Sequence, residues 1–259
     1  MADESIARTI AIYIDLENVA IGVRDARIKT FDIELVLRRL LDKGNIVVRK
    51  AYADWGRYED YKRPLHSAGV ELIDLPGSKL TGKNSADIKM VVDALELSYT
   101  KPHIDCFALV TGDSDFYPLV SKLRENNKHT IAIGVKKATS PLLIDSCDEF
   151  IFYDDLARRP RAAAKKKGRM TGLPAKTREA FALLLDAAEA LQREDKQLYS
   201  SLVKETMKRK QPQFSEEYHG YRSFSRLLED AQRHKLISIS KDARSGTYVI
   251  DEIAEEDAA

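Results

Sequence analysis

The chain has 259 residues, which is enough for one large domain or two smaller ones with buried cores. Its net charge of +1 hides an uneven distribution, because residues 158–169, RRPRAAAKKKGR, contain seven basic residues and no acidic one. The first residues lack the basic and apolar regions of a secretory signal, and no apolar run reaches the roughly 20 residues that a bilayer requires. These features argue against a membrane protein, so we expect a soluble, cytoplasmic protein with no membrane partner.

Residues 1–157 alternate short apolar strands with amphipathic helical patterns. The predicted strands are Thr9–Ile14, Ile46–Tyr52, Val70–Leu75, Cys106–Val110, Thr130–Val135 and Phe150–Tyr153. Such alternation with nearly continuous apolar strands predicts an α/β fold, a Rossmann-like parallel sheet covered by helices on both faces. Ligands of these sheets bind outside the carboxyl ends of the strands, near a topological switch point.

Acidic residues fall at that predicted edge. Asp15 ends the first strand, with Asn18 just beyond it, and Asp113 and Asp115 follow the fourth strand in the stretch VTGDSDF. Asp87 starts a helix in the stretch NSADIKM. If the first and fourth strands are neighbours, these carboxylates form a hard oxygen site suited to Mg²⁺ or Mn²⁺.

Taken singly, these acids have structural interpretations as well. Asp15 could be a turn residue, and Asp87 an ordinary acid favoured by the positive end of the helix dipole. Asp93 lies six residues beyond Asp87 and is rotated far around the helix, so we leave it outside the predicted site.

The segment GSKLTGKN, residues 77–84, nearly matches a phosphate-binding P-loop. However, Asn84 replaces the hydroxyl residue that would hold Mg²⁺, and the segment follows the third strand instead of the first. Nucleotide hydrolysis is therefore disfavoured. Lys79 and Lys83 are predicted to contact RNA phosphates beside the acids, with plain solvent exposure as the alternative.

The pattern changes after a basic linker at residues 158–171. Residues 172–250 show three helical patterns followed by two short strands, Leu236–Ser240 and Thr247–Ile250, which predicts a small winged-helix α+β domain. Residues 251–259 form an acidic tail. Four cations of the second helical pattern are predicted RNA contacts, although a solvated helix end is the alternative: Lys204, Lys208, Arg209 and Lys210.

Three stretches, AIYIDLENV, SADIKMVVDALEL and FALVTGDSDFYPLVSKLRENNKHTIAIGV, resemble the NYN domain, a branch of the PIN-like nuclease superfamily. The resemblance covers roughly residues 8–156. It implies metal-dependent cleavage of RNA, with the family's acidic positions on Asp15, Asp87 and Asp113 and with Asp115 as a further candidate. It also implies that Asn18 positions substrate or metal-bound water.

Residues 197–239 are similar to the LOTUS, or OST-HTH, domain. The shared signature falls on Phe214, Tyr218, Gly220, Tyr221, Phe224 and Leu227, most of which we expect in the core because they recur at helical spacing. The stretch EDKQLYSSL lacks the Gly-Trp pair usual at the start of that domain. The resemblance implies binding of RNA, including structured or G-rich RNA, or of a protein partner.

These observations together predict a Mg²⁺- or Mn²⁺-dependent ribonuclease, in the first place an endoribonuclease, with a C-terminal RNA-binding module. No residue is an obvious covalent nucleophile, so we expect attack by water, leaving 5′-phosphate and 3′-hydroxyl ends. The alternatives are a catalytically inactive RNA-binding or scaffold protein and a phosphatase or NTPase. Cleavage of DNA also stays open at this stage.

Overall fold

The protein is described by a computed structural model that covers residues 7–75, 85–158, 170, 172–243 and 245–254. The described chain divides into two compact units, one on each side of the basic segment. In these ranges no helix combines the length and the apolar character needed to cross a membrane. The described residues do not include the predicted RNA contacts Lys79 and Lys83. They also leave out most of the predicted linker and of the acidic tail.

The N-terminal unit contains six strands and seven α-helices within the described residues. In chain order they are β1 (Arg8–Asp15), α1 (Leu16–Asp25), α2 (Ile33–Leu41), β2 (Gly44–Ala53), α3 (Glu59–Ser67), β3 (Glu71–Asp74), α4 (Ser85–Thr100), β4 (Cys106–Val110), α5 (Tyr117–Glu125), β5 (His129–Gly134), α6 (Pro141–Ser146), β6 (Glu149–Phe152) and α7 (Tyr153–Arg158). Short 3₁₀ helices at Ser114–Phe116 and Lys136–Ala138 follow β4 and β5. The predicted strands therefore all exist, with ends that differ by one or two residues.

All strand pairs of this sheet are parallel, and the order is β3-β2-β1-β4-β5-β6. The predicted neighbourhood of the first and fourth strands is confirmed, since Ile14 of β1 pairs with Val110 of β4. From β1 the chain adds β2 and β3 on one side, and it then crosses over to add β4, β5 and β6 on the other side of β1. The pair β1 and β4 is the topological switch point, where the loops after two adjacent strands diverge and leave a crevice.

The centre of the sheet is buried on both faces, because the side chains of β1 alternate between two cores. Ile10, Ile12 and Ile14 pack in one hydrophobic cluster, whereas Ala11 and Tyr13 pack in the other. All five side chains are fully buried. The α/β fold expected from the continuous apolar strands is thus confirmed, and it places the end of β1 at the centre of the sheet edge.

Within its described residues, the C-terminal unit contains three helices, α8 (Ala175–Arg193), α9 (Ser200–Lys210) and α10 (Phe224–Arg233), and the antiparallel strands β7 (Ile237–Lys241) and β8 (Tyr248–Ile253). Tyr199 adds an isolated antiparallel bridge to Val249, and Ile250 N donates to Leu198 O at 3.0 Å. Strand β8 runs three residues past its predicted end because Ile253 pairs with Ile237 at the start of β7. The acidic tail predicted from residue 251 therefore begins inside a strand.

The aromatic signature of this unit is divided between core and surface. Phe214, Phe224 and Leu227 belong to its hydrophobic core, as expected, while Tyr218 is 58% exposed. Gly220 adopts φ 86°, a left-handed conformation that favours glycine. Tyr221 packs partly against the core, and its hydroxyl donates to Asp230 Oδ2 at 2.6 Å.

Candidate active site at the carboxyl ends of β1 and β4

Asp15 is the last residue of β1 and also the N-cap of α1. Its Oδ1 accepts from Asn18 N at 3.1 Å, which satisfies an amide in the first turn of that helix. Its Oδ2 accepts from the Thr111 hydroxyl at 3.0 Å. The side chain is 6% exposed, so this carboxylate is held in one orientation at the bottom of the crevice.

Residues directly after β4 complete the floor of the crevice. Thr111 is fully buried, and its hydroxyl oxygen also accepts from Asp113 N at 3.2 Å. Gly112 N donates to Asn18 Oδ1 at 2.8 Å. Because Asn18 lies in α1 and Gly112 follows β4, the hydrogen bond between them ties together the chain segments that carry Asp15 and Asp113.

Gly112 is required by the close approach of another loop. A Cβ atom at this position would lie 2.5 Å from the carbonyl oxygen of Ala138. The carbonyl of Gly112 accepts from Ser140 N at 2.9 Å, so the loop after β5 is fastened to the loop after β4. The glycine of VTGDSDF thus serves packing, and the acids beside it face the crevice opening.

Asp113 and Asp115 follow within a single 3₁₀ turn. Asp113 is the N-cap of the helix Ser114–Phe116, and its Oδ1 accepts from Asp115 N at 3.0 Å. Asp113 is half-buried and Asp115 is exposed. The second carboxylate of the motif therefore lies nearer to solvent than the first.

Asp87 lies in the first turn of α4 and faces the same region. Burial raises its pKa, and the negative charges of Asp113, Asp115 and Glu17 raise it further. Burial likewise raises the pKa of Asp15 to about 7, against the hydrogen bonds from Asn18 and Thr111, and the charges of Asp87 and Asp113 contribute. Carboxylates that hinder each other's ionisation in this way are close enough to interact.

The donor set suits a hard divalent cation. Among the described residues, no three His, Cys, Asp or Glu side chains approach closely enough to form a ready-made metal cage. Mg²⁺ does not need one, since it keeps several waters and commonly binds through one or two carboxylates together with substrate phosphates. A cation beside Asp15 and its acidic neighbours would relieve their repulsion and favour their charged forms.

Two further residues belong to the crevice and were missed in the prediction. Thr111 orients Asp15 and the backbone of Asp113, although its sequence signal is only a hydroxyl between a buried strand and a glycine. Glu17 adds negative charge near Asp87, and its Oε1 accepts from Asp54 N at 3.2 Å. Its position two residues beyond Asp15 in the first turn of α1 could have suggested it.

Asp93 has a different environment, in agreement with its exclusion from the predicted site. It accepts from the Tyr52 hydroxyl and from Lys89 Nζ, both at 2.7 Å, and Lys50 Nζ lies 3.6 Å from it. Burial raises its pKa, but these hydrogen bonds and cations outweigh burial and hold the pKa below its usual value. Asp93 is therefore a neutralised structural carboxylate.

A cavity of about 470 Å³ opens beside the acids. Asp87 and Asp115 line it together with apolar side chains of α4 and α5, which include Ile88, Val92 and Tyr117. These three side chains are between 41% and 63% exposed. The crevice thus continues into a partly apolar surface on the side of α4.

The four cations predicted to bind RNA in the C-terminal unit have different surroundings. Lys204 Nζ pairs with Glu216 at 2.6 Å, and Lys210 Nζ pairs with Asp186 at 2.8 Å. Arg209 Nη2 donates to the Thr206 hydroxyl at 3.2 Å. Lys208 is exposed. Ion pairing within the unit thus engages two of the four side chains.

Comparison with known proteins places this geometry in a family. The chain is 30% identical over 141 residues to the uncharacterized protein MJ0482 of Methanocaldococcus jannaschii. That match covers 54% of this chain and 55% of the relative, so the chain spans about half the length of the relative. The crystal structure of VPA0982, a protein of unknown function from Vibrio parahaemolyticus RIMD 2210633, superposes with a TM-score of 0.52 at 29% identity. The superposed region covers 59% of this chain and 97% of the Vibrio parahaemolyticus chain.

The described sheet, its switch point and its acidic crevice all lie within one matched region. The family described as NYN domain matches residues 9–154, which is more than half of the chain. That region runs from β1 into α7 and contains Asp15, Asp87 and Asp113. The chain therefore belongs to the NYN domain family and has its PIN-like nuclease fold.

Proposed function

We propose that this protein is a metal-dependent ribonuclease that hydrolyses RNA phosphodiesters in the crevice between β1 and β4. The observation that carries the proposal is the placement of Asp15, Asp87 and Asp113 at the switch point, where burial first and then neighbouring negative charges raise the pKa values of Asp15 and Asp87. Structural carboxylates of this chain, such as Asp93, are instead neutralised by cations and hydroxyl donors. Repelling carboxylates at a switch point are characteristic of a functional site.

Asp15, Asp87 and Asp113 would hold Mg²⁺ or Mn²⁺, and the exposed Asp115 would assist. When bound, such an ion supplies an activated water and neutralises charge on the phosphate. The chain itself holds Asp15 rigidly through Thr111 and the first turn of α1. Rigid placement keeps the reacting groups aligned without loss of entropy at the reaction step.

Asn18 would act through its amide nitrogen. Its Oδ1 already accepts from Gly112 N, so the orientation of the amide group is fixed. The nitrogen of the same group is then the donor toward a phosphate oxygen or a water in the crevice. Attack by water would leave 5′-phosphate and 3′-hydroxyl ends, and cleavage would be endonucleolytic.

We propose also that the C-terminal unit acts as an RNA-binding module, on the strength of its resemblance to LOTUS domains. Its exposed Tyr218 and exposed Lys208 present an aromatic and a cationic group to solvent. Such groups suit stacked bases and phosphates. A structured or G-rich RNA is the expected ligand, and a protein partner would be the contrary result of a binding screen.

The test is cleavage of end-labelled RNA by the purified full chain with Mg²⁺, with Mn²⁺ and with EDTA. Asp113→Asn should lower the rate by orders of magnitude while the variant stays folded and still binds RNA. Asp145→Asn is the matched control, because it removes one exposed carboxylate of α6 that is not among the charges raising the pKa of Asp15 or Asp87. Asp93→Asn should cost much less activity than Asp113→Asn.

Chemical analysis of the product ends tests the water mechanism directly. Undiminished cleavage by Asp113→Asn, or by the parent protein in EDTA, would contradict the proposed site. Binding of RNA without cleavage under every metal and substrate tried would favour an RNA-binding or scaffold protein without turnover. Turnover of small phosphate esters in place of RNA would favour a phosphatase.

A further inference from the structure

A second groove of the N-terminal unit lies between α1, the loop that follows it, and the start of α3. It has a volume of about 450 Å³, and its lining includes the cations Arg24, Arg27 and Lys29 and the aromatic residues Tyr58 and Tyr61. Among the described residues that line it, none is acidic. The groove therefore combines positive charge with aromatic surface in a unit that is otherwise rich in carboxylates.

The cations of the groove are accessible. Arg24, Arg27 and Lys29 are all exposed. Arg24 Nε lies 3.4 Å from Asp25 Oδ1, but both side chains are more than half exposed, so this pair contributes little and can exchange for a phosphate. Guanidinium groups recognise phosphate oxygens through paired hydrogen bonds, which is the contact expected of a polyanion.

The tyrosines form a supported surface. Their ring centroids lie 6.4 Å apart with an interplanar angle of 52°, and both side chains are half-buried against the hydrophobic core of the unit. A supported aromatic ring loses little entropy when a base stacks on it, and base stacking on such rings tolerates any sequence. Single-stranded nucleic acid offers accessible bases, whereas a duplex hides them.

The groove is joined to the acidic crevice by α1 and by the turn after β2. Helix α1 starts at the crevice with Asp15 as its N-cap and ends beside the groove at Asp25. Glu17 Oε1 accepts from Asp54 N at 3.2 Å, and the turn that begins at Asp54 continues directly into Tyr58. Helix α1 rises about 15 Å over its length, so the two sites are separated by the reach of a few nucleotides.

We propose that this groove binds single-stranded RNA and guides the strand into the crevice. The inference rests on the proposed function for the identity of the polymer. It assigns phosphate contacts to Arg24, Arg27 and Lys29 and base stacking to Tyr58 and Tyr61. The acidic crevice and the cation-rich groove then have complementary roles, one for the reacting phosphate and the other for its neighbours along the strand.

The experiment measures the affinity of the full chain for a fluorescent single-stranded RNA by anisotropy in EDTA, over a series of salt concentrations. Arg24→Ala combined with Lys29→Ala should reduce the slope of log affinity against log salt by about 1.4, since each lost phosphate contact on a single strand changes it by about 0.7. Arg27 is left intact because it forms the left-handed turn after α1, at φ 58°, where its amide donates to Arg24 O at 3.0 Å. The matched control is Arg38→Ala combined with Lys101→Ala, two exposed cations outside the groove lining.

A second variant tests the stacking surface. Tyr58→Ala should weaken binding of the single strand about 5- to 100-fold, whereas Tyr58→Phe keeps the ring and should keep the affinity. Neither Tyr58→Ala nor Tyr58→Phe should change the affinity for a duplex of the same length. Fluorescence of Trp55, which is buried close to Tyr58 in the chain, reports whether each variant is folded.

The possible outcomes separate this inference from the proposed function. If the groove variants and the control variants lose equal slope, or if the parent does not bind single-stranded RNA, the groove proposal is wrong. Because binding is measured without metal, the result does not depend on cleavage. Loss of cleavage in Asp113→Asn, together with a reduced slope in Arg24→Ala combined with Lys29→Ala, would support both proposals at once.

Discussion

The substitution Asp15→Asn offers a quantitative test of the electrostatics of the crevice in the metal-free protein. The pKa of Asp15 is raised from 3.8 to about 7, first by burial and then by the charges of Asp87 and Asp113. Because the pKa in the folded state lies above that in the unfolded state, the folded protein holds this proton more tightly, and the group favours folding more at low pH than at high pH. That contribution is lost as the pH rises from about 4 through about 7.

The magnitude follows from the pKa change. A pKa that rises from 3.8 to about 7 corresponds to about 4 kcal/mol, the cost of ionising this carboxyl group in the folded protein at pH 8. Asparagine cannot ionise, and its Oδ1 can still cap α1 by accepting from Asn18 N. The amide nitrogen that replaces Oδ2 cannot accept from the Thr111 hydroxyl and can only donate to it, an exchange that costs about 1 kcal/mol. The variant should therefore be more stable than the parent by about 3 kcal/mol at pH 8, and by little or nothing at pH 4.5.

The assay is urea unfolding in EDTA at pH 4.5, 6 and 8, followed by tryptophan fluorescence. Trp55 is the single tryptophan of the chain and is 3% exposed in the N-terminal unit, so its signal reports unfolding of that unit alone. Asp93→Asn is the matched control. Its carboxylate is stabilised by Lys89 and the Tyr52 hydroxyl, so its replacement should lower the free energy of unfolding at pH 8.

A variant Asp15→Asn that is less stable than the parent by the same amount at every pH would refute the reasoning. Added Mn²⁺ gives an independent reading. A ligand that binds only the folded state raises its stability, so the parent should gain stability on addition of the ion. Asp15→Asn should gain less, because it has lost one charged oxygen ligand.

Three further predictions concern the support of the site and the division of the chain. Gly112→Ala should destabilise the N-terminal unit by about 1–3 kcal/mol in urea unfolding, since the new Cβ would meet the Ala138 carbonyl at 2.5 Å. An unchanged midpoint of urea unfolding would show that the loop after β5 moves freely. Thr111→Val should lower the free energy of unfolding by about 1–3 kcal/mol and remove most of the cleavage rate, because it leaves Asp15 Oδ2 and Asp113 N without their partner. Thr111→Ser keeps the hydroxyl and should retain both the stability and the rate. Limited trypsin digestion should cut first within residues 158–171, and first cuts elsewhere on a gel would argue against a linker there.

Much of the N-terminal fold was determined by local sequence. The strands β1 to β6 were predicted to within two residues because each contains a short apolar run, and the central strands β1, β4 and β5 are buried on both faces. The acids of the crevice were found for a related reason. Asp15 and Asp113 directly follow buried strands, and parallel strands bring their carboxyl ends to one edge of a sheet. Composition and period therefore sufficed for the sheet and for the placement of these two acids at one edge of it.

Tertiary structure decided which side chains act on each other, since that depends on contacts between residues distant in sequence. Thr111 gains its importance only because β1 and β4 are adjacent, which brings its hydroxyl to Asp15, 96 residues earlier. The basic groove was hidden for the same reason, because Arg24 and Lys29 are separated from Tyr58 by a helix and a strand. The surroundings of Lys204 and Lys210 also depend on partners elsewhere in the C-terminal unit, which a basic run on one helix does not reveal. A periodic pattern fixes the face that a residue presents, but only the folded chain determines which charges and donors that face meets.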